Sequence, residues 1–485
     1  MTGIRAQDEI EQIEKQLKMS DVKVQESFRD KVATVDKKGK RLWVFPQQPS
    51  GRMHNKRKLA TVLYLLIFFS LPFIKVNGHP VFLINVLERR FILFGQIFWP
   101  QDFFIFALGM ILFIVFIALF TVVFGRVFCG WACPQTVFME MVFRKIEYWI
   151  EGDAAEQKML AKAPWNTDKI IKKSSKWVAF WIVSFIIANT FLAYLIGVDE
   201  LKQMIREPLS MHIGSFVTLV VFTTVFFFVY LWMREQVCTV ICPYGRMQGV
   251  LLDRDSVIVA YDYGRGEQRG KFHKNEQRTI GDCIDCNACV RVCPTGIDIR
   301  NGTQLECTNC TACIDACDRM MTAVGLPTGL IRYASEANIA EKRPWKFTWR
   351  MKAYSVVMAL LLGVLAFLLA SRSDVGVTLL RTPGQLYQEQ PNNQMSNLYN
   401  YKLLNKTFKE KELRLLPENF HGTIKLVGET ALKVPKDGIT TGTMFVYMDV
   451  NDMKGRKTQI KIGVYDGDKK ISTITTSFLG PFKDN

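Results

Sequence analysis

Eight cysteines, all lying between Gly281 and Asp318, constrain this chain more than any other feature of it. They read Cys283-x-x-Cys286-x-x-Cys289-x-x-x-Cys293-Pro294, then Cys307-x-x-Cys310-x-x-Cys313-x-x-x-Cys317. A cube of iron and sulfide needs four thiolates, and each run offers three from one tight loop, the fourth crossing over from the other run. The spacing assigns one [4Fe–4S] cluster to Cys283, Cys286, Cys289 and Cys317, and a second to Cys307, Cys310, Cys313 and Cys293. Pro294 follows the first crossing cysteine, where a turn or helix start is wanted; Asp318 stands at the matching place in the second run. Zinc sites usually pair two C-x-x-C units rather than interlocked triplets. A disulfide framework does not suit a segment expected to face a reducing compartment.

The chain has 485 residues, enough for several domains, and its apolar residues are gathered in long uncharged blocks. Five blocks compare with the roughly 20 residues needed to cross a bilayer: Leu59 to Ile74, Phe103 to Phe124, Trp177 to Val198, Met211 to Met233 and Ala353 to Ser371. The first is short and carries Pro72. Lys and Arg collect in the N-terminal 58 residues (14 against 8 Asp or Glu), from Gly125 to Lys176 (Arg144, Lys145, Lys169, Lys172, Lys173, Lys176), and from Arg234 to Lys352. Asp199 to Ser210 is short and slightly acidic. Positive loops stay inside, so the N-terminus and the cysteine-rich segment are expected in the cytoplasm and the C-terminus outside; Arg89 and Arg90 in the first outer loop run against this. More than fifty residues, most of them polar, precede the first span, which argues against a cleavable signal peptide. The net charge of +17 is accounted for by loops beside anionic lipid and calls for no nucleic acid.

The expected architecture is a polytopic α-helical membrane protein of about five spans. It divides into a cytoplasmic arm (1–58), a four-helix membrane domain (59–252), a two-cluster ferredoxin-type domain (253–350), a fifth span (351–375) and an outer β-sandwich (376–485). In the arm, Asp8 to Ile13 suggests a short helix and Lys37 to Arg41 a solvated run. Asn77 to Gln101 is rich in aromatics and contains His79; it reads as a loop along the outer interface, with a quinone or metal contact as the less favoured alternative. His212 stands at the outer start of the fourth span. Bound haem usually requires paired intramembrane histidines, so the sequence does not support one. In the C-terminal part, alternating runs at Thr423 to Val427, Met444 to Val450, Gln459 to Val464 and Ile471 to Thr476 are separated by turn signals, as in a small antiparallel sandwich used for docking or assembly.

The membrane domain contains an internal repeat. Two spans are each followed by C-x-x-x-C-P, at Cys129-Gly-Trp-Ala-Cys133-Pro134 and Cys238-Thr-Val-Ile-Cys242-Pro243, 109 residues apart. On a helix, positions i and i+4 share a face, which would pair each set of thiols, and the following proline favours a turn or a new helix. Soft thiolates suit Cu(I), iron–sulfur iron or disulfide cycling; Met139, Met141 and Met247 nearby could add thioethers or simply pack. Single buried cysteines are commonly inert. Two copies at matched depth, in a chain with no cysteine outside a motif, favour redox or metal chemistry at Cys129, Cys133, Cys238 and Cys242, with copper binding, a disulfide and a further cluster all open.

Together, these features resemble the CcoG/FixG/RdxA family of cytochrome c oxidase accessory proteins. The resemblance rests on the two C-x-x-x-C-P copies with their flanks (Gln135-Thr136 and Tyr244-Gly245-Arg246), the eight clustered cysteines and the immunoglobulin-like end, and it covers nearly the whole chain. It implies a bacterial inner-membrane protein, N-terminus cytoplasmic and C-terminus periplasmic, that serves maturation of cbb3-type cytochrome oxidase. It also implies an oxidoreductase that reduces Cu(II) to Cu(I), with the C-x-x-x-C-P cysteines tied to the copper. The implied partners are the oxidase subunits or copper chaperones and an electron donor that the sequence does not name. A quinol-oxidising polyferredoxin subunit of the NapH type and a non-catalytic copper-delivery scaffold are the alternative readings.

Overall fold

The computed structural model describes residues 34–481 apart from 37, 39, 77, 86–89, 274–277, 385, 392 and 429–431. The helix expected at Asp8 to Ile13 and the charge of Arg89 lie outside the described residues. Two compact units divide the chain: Met1–Ser70, Ile111–Phe191 and Met204–Leu360 form one, and Leu71–Met110, Leu192–Gln203 and Leu361–Asn485 the other.

Among the described residues four helices are long and apolar enough to cross a membrane: Phe103–Phe124, Thr167–Ile196, Ile213–Met233 and Trp349–Ala370. The first has a mean hydropathy of 3.1 over its most apolar window, and no residue of that window is buried in protein. A water-soluble chain does not leave such surfaces bare. The block expected as the first span forms the helix Arg52–Ser70 and a following turn, Leu71–Phe73. Its first seven residues include Arg52, Lys56, Arg57 and Lys58, so it falls outside that set of four. Its remaining face, with Leu59, Leu63, Leu66 and Ile67 exposed, is nonetheless apolar.

In the first unit the cysteine-rich segment folds on a two-stranded antiparallel sheet, Ile258–Tyr261 with Ile331–Ala334. The helices Ala288–Arg291 and Ala312–Ala323 pack on it, and Val259, Tyr261, Ile299, Met321, Leu330 and Ile331 form a core shared with Cys283, Cys289 and Cys317. Asp315, on the second helix, accepts hydrogen bonds from the backbone N–H groups of Met53 (2.9 Å) and His54 (2.7 Å). A carboxylate thus caps the first turn of Arg52–Ser70, where the orphan donors and the positive end of the helix dipole favour it.

In the second unit the C-terminal part is a two-sheet sandwich. One sheet orders Gly422–Leu426, Ile439–Asp449, Gln394–Asn405 and Val375–Arg381, with Gln388–Gln390 on its margin; the other orders Leu432–Val434, Lys411–Pro417, Lys457–Asp466 and Lys469–Leu479. Met444, Val446 and Met448 are buried while Phe445 and Tyr447 between them are not, the alternation a half-buried strand requires. The aromatic stretch expected to lie as an interfacial loop instead forms a three-stranded sheet, Phe82–Asn85, Arg90–Leu93 and Gln96–Phe98. Leu83, Ile92 and Ile97 are buried in it beneath Trp99 and Phe408. His79 stacks on the Phe408 ring at 4.2 Å. Asp102, buried beside this sheet, is bound by Arg372 and Lys406, each at 2.6 Å.

Candidate functional site

All twelve cysteines are unpaired thiols. The eight clustered ones line two cavities. Cys283, Cys286, Cys289 and Cys317 border one of about 330 Å³. Cys293, Cys307, Cys310 and Cys313 border another of about 350 Å³, where Cys289 also reaches the wall.

Backbone geometry shapes both cavities in the same way. The residues before and after the second cysteine of each run, Asp285 and Asn287, then Asn309 and Thr311, all have positive φ, between 51° and 66°. Left-handed residues among right-handed ones turn successive N–H groups into a concavity, the arrangement that receives anionic iron–sulfur groups. Burial pushes the thiols of Cys289, Cys307 and Cys317 up to about 12 and that of Cys293 to about 11. Such thiols are poor nucleophiles, and a bound metal deprotonates them. Donor set, concavity and dry surroundings fit an iron–sulfur cluster in each cavity.

The repeat is structural as well as sequential. Each apolar helix ends at a residue with positive φ, Gly125 (56°) in the first copy and Arg234 (53°) in the second. A five-residue helical turn follows, Val127–Trp131 or Val237–Ile241, carrying the first cysteine. The second cysteine then sits in extended backbone as the N-cap of a new helix with proline at its start, Pro134–Phe138 or Pro243–Leu251. This corrects the expected i, i+4 pairing on one helix face: the proline, which disfavours helical backbone in the residue before it, breaks the helix at Cys133 and Cys242. The new helix start itself is as expected.

The four thiols nevertheless collect in one region. Burial pushes Cys129 up to about 11, with Cys133 and Cys242 adding to the rise; Cys238 goes to about 12, with Cys133, Cys129 and Cys242 adding. Cys129 donates to Oε1 of the fully buried Gln248 at 3.2 Å. Among the described residues no three His, Cys, Asp or Glu side chains stand at metal-binding distance, so coordination at any of these centres requires side chains to turn inward.

This thiol region packs directly on the second cysteine cavity. A Cβ on Gly130 would lie 2.5 Å from the Thr308 carbonyl oxygen and 2.8 Å from that of Asn309, so only glycine admits the contact. Arg126 donates to the carbonyls of Leu305, Cys307 and Gly245, tying both copies to the cysteine loop. Trp131 donates to the Tyr333 hydroxyl at 3.2 Å. A third cavity, of about 310 Å³, has Cys238, Met139, Glu140 and Glu235 on its wall and shares Thr295 and Thr308 with the second. Met141 is buried and Met247 exposed.

A buried ionic network holds the two copies together. Arg144 pairs with Glu140 (3.1 Å) and with Glu235; Glu147 pairs with Arg234 (2.5 Å) and Lys176 (2.9 Å); Glu151 pairs with Lys173 (2.8 Å) and Lys176 (3.1 Å). Burial alone would raise Glu147, but Arg234, Lys176 and Arg144 hold it far below the usual carboxylate range. Arg144 and Lys176, expected among the free basic charges of a loop, are therefore buried and neutralised. Arg41, expected in a solvated run, stacks on Trp43 at 3.9 Å. Arg126, Gln248, Tyr333 and this network escape a reading of the sequence; the matched breaks at Gly125 and Arg234, just before each cysteine pair, are the one signal of them there.

Comparison with known proteins agrees with this geometry. A family model described as a 4Fe-4S dicluster domain matches residues 233–336, a 4Fe-4S binding domain matches 106–152, and the Ig-like fold at the C-terminal end of FixG matches 365–481. Protein RdxA of Cereibacter sphaeroides is 34% identical over 425 residues, covering 84% of this chain and 88% of its own. Protein RdxB of the same organism is 33% identical over 429 residues, covering 84% and 89%. Nitrogen fixation protein FixG of Rhizobium meliloti is 37% identical over 320 residues, covering 62% and 59%. With four apolar helices, 4Fe–4S domains and relatives of this extent, the chain belongs to the FixG/RdxA family of membrane iron–sulfur proteins.

Proposed function

We propose that this protein is an electron-transfer protein of the cbb3-type oxidase system that reduces Cu(II) to Cu(I) ahead of copper insertion. In this reading Cys283, Cys286, Cys289 and Cys317 hold one [4Fe–4S] cluster, and Cys307, Cys310, Cys313 and Cys293 the other. Such clusters exchange single electrons, the number that Cu(II) reduction consumes. Copper enters as substrate: Cys129, Cys133, Cys238 and Cys242 form its site, and these soft donors favour the Cu(I) product. Met139 on the adjoining cavity wall adds a thioether. Arg126 and Gly130 keep that site against the Cys307–Cys310 loop. The N-terminus and cluster domain lie in the cytoplasm and the sandwich in the periplasm, with Leu59 to Ile74 as a short first span. The domains follow as an arm (1–58), a membrane domain (59–252), a cluster domain (253–350), a last span (351–375) and the sandwich (376–485).

The observation that carries this reading is the contact at Gly130, which leaves no side chain between the first thiol helix and the second cysteine cavity. Anaerobically purified protein should hold about eight iron atoms, and, once reduced with dithionite and freed of the excess, should lose its reduced-cluster EPR signal on titration with Cu(II). Changing Cys129 and Cys133 to serine should weaken copper binding and slow that oxidation while iron stays normal. Normal copper binding and normal kinetics in this variant would reduce the four cysteines to packing residues.

One observation favours a second reading. The 4Fe-4S binding domain matched over 106–152 covers a segment whose cysteines are Cys129 and Cys133, in keeping with a third cluster on the four repeated thiols. The same serine variant separates the two: iron lost with the first thiol pair assigns the site to a cluster, and iron retained with copper binding weakened assigns it to copper.

A further inference from the structure

Where the apolar part of Arg52–Ser70 begins, three cationic side chains and a histidine from two segments gather. His54, Arg57 and Lys58 lie on that helix and Lys145 on Arg144–Glu151. The two elements are held against each other: Tyr64, Leu65, Phe68 and Phe69 pack with Phe138, Phe143 and Ile146, and the Tyr148 hydroxyl donates to the Pro46 carbonyl at 3.0 Å. Arg57 is 2% exposed; its Nε donates to the Gly130 carbonyl at 2.7 Å, while its Nη2 is buried without a hydrogen-bond partner. Burial, then Lys58 and Arg57, push the Lys145 ammonium below its usual range. Asp315 is the acidic group facing His54, and its carboxylate is already engaged by the Met53 and His54 amides. Among the described residues neither Lys58 nor Lys145 has an acidic partner.

The surroundings choose between possible anions. One turn below Lys58 the same helix face continues into Val62 (45% exposed) and Leu66 (62%), with Leu59 (73%) and Leu63 (60%) alongside. One turn beyond Lys145 stands Trp149, 86% exposed, of the residue type that settles at the headgroup level of a bilayer. Uncompensated cations above a bare apolar face, bordered by an interfacial indole, match a molecule with an anionic head and hydrocarbon tails.

We propose that Arg57, Lys58 and Lys145 form a binding site for the phosphate headgroup of an anionic phospholipid, whose chains lie along Leu59, Val62 and Leu66. The site is separate from the copper reading and does not depend on it. Full-length protein, purified anaerobically with its clusters, is placed in nanodiscs of phosphatidylcholine with or without phosphatidylglycerol, and lipid that survives delipidation is counted by native mass spectrometry. The wild type should retain phosphatidylglycerol selectively. Lys58→Gln with Lys145→Gln should weaken that retention roughly thirty-fold, on the scale of two surface lysines beside an anionic lipid. Iron content and elution volume should stay at wild-type values and show that the variant is folded. Lys346→Gln with Lys352→Gln, elsewhere in the basic loops, should leave retention unchanged. Equal retention by wild type and the Lys58/Lys145 variant would overturn the proposal. So would displacement of the lipid by millimolar inorganic phosphate, which would make this a site for free phosphate.

Discussion

The indole nitrogen of Trp131 donates a hydrogen bond to the Tyr333 hydroxyl at 3.2 Å, and that hydroxyl donates in turn to the Asn309 carbonyl at 3.5 Å. The chain of contacts leads from between Cys129 and Cys133 to the loop between Cys307 and Cys310. Trp131→Phe and Tyr333→Phe should each cost about 1 kcal/mol of thermal stability, and the double variant less than their sum because both remove the same bond. Strict additivity in calorimetry would mean that the bond contributes nothing.

Gly130 should not tolerate a methyl group. Gly130→Ala forces its Cβ onto the Thr308 and Asn309 carbonyls, an overpacking expected to cost about 1–3 kcal/mol and to lower the iron held by the Cys307 run. Gly109, where an added methyl group would meet nothing within 4 Å, is the control, and Gly109→Ala should leave iron content and melting temperature unchanged.

The ionic network gives an asymmetric expectation. Glu147→Gln takes from buried Arg234 its 2.5 Å carboxylate partner and leaves Lys176 sharing Glu151 with Lys173, and should cost about 3–5 kcal/mol. Breaking the exposed pair Arg254–Glu341, whose side chains are 65% and 44% accessible, should cost under about 1 kcal/mol. Thermal aggregation of the two variants in one detergent compares them, and equal losses would contradict the burial argument.

What can be read from the sequence is chemistry written in short spacings. The eight clustered cysteines, the apolar helix Phe103–Phe124 and the C-x-x-x-C-P repeat depend on residues close in the chain, and the helix and the repeated turn are both present in the structure. The partners that fix them are far off in the chain: Trp131 and Tyr333 are 202 positions apart, and nothing near Arg144 announces Glu235. Arg144 and Lys176 look like rim charges because an ion pair leaves no local pattern. Phe82 to Phe98 misleads for a different reason: its many aromatics suggest an interface, whereas the spaced Leu83, Ile92 and Ile97 mark strands with one buried face.

Acid should loosen the second unit at one identifiable point. Burial would raise Asp102, but hydrogen bonds from Lys406 and Arg372 outweigh it and hold the carboxyl below its usual range. A depressed carboxylate contributes stability that is fully present above the unfolded value of about 3.9 and disappears as pH falls through the lower folded one. Protease cleavage of the sandwich should therefore rise below about pH 4 in the wild type. In Asp102→Asn it should already be raised at neutral pH and lose that acid step.

The carboxylate of Asp315 that closes the first turn of Arg52–Ser70 is 262 residues further along the chain than Met53. At roughly 5–20 residues per second, it leaves the ribosome some tens of seconds after the helix it caps. Through that interval the helix entrance has water as its partner, and its final seating waits on the folding of Ala312–Ala323. A helix made early is thus among the last elements to be completed. A chain cut short before Asp315, or one whose cysteine domain fails to fold, carries that defect back to its beginning.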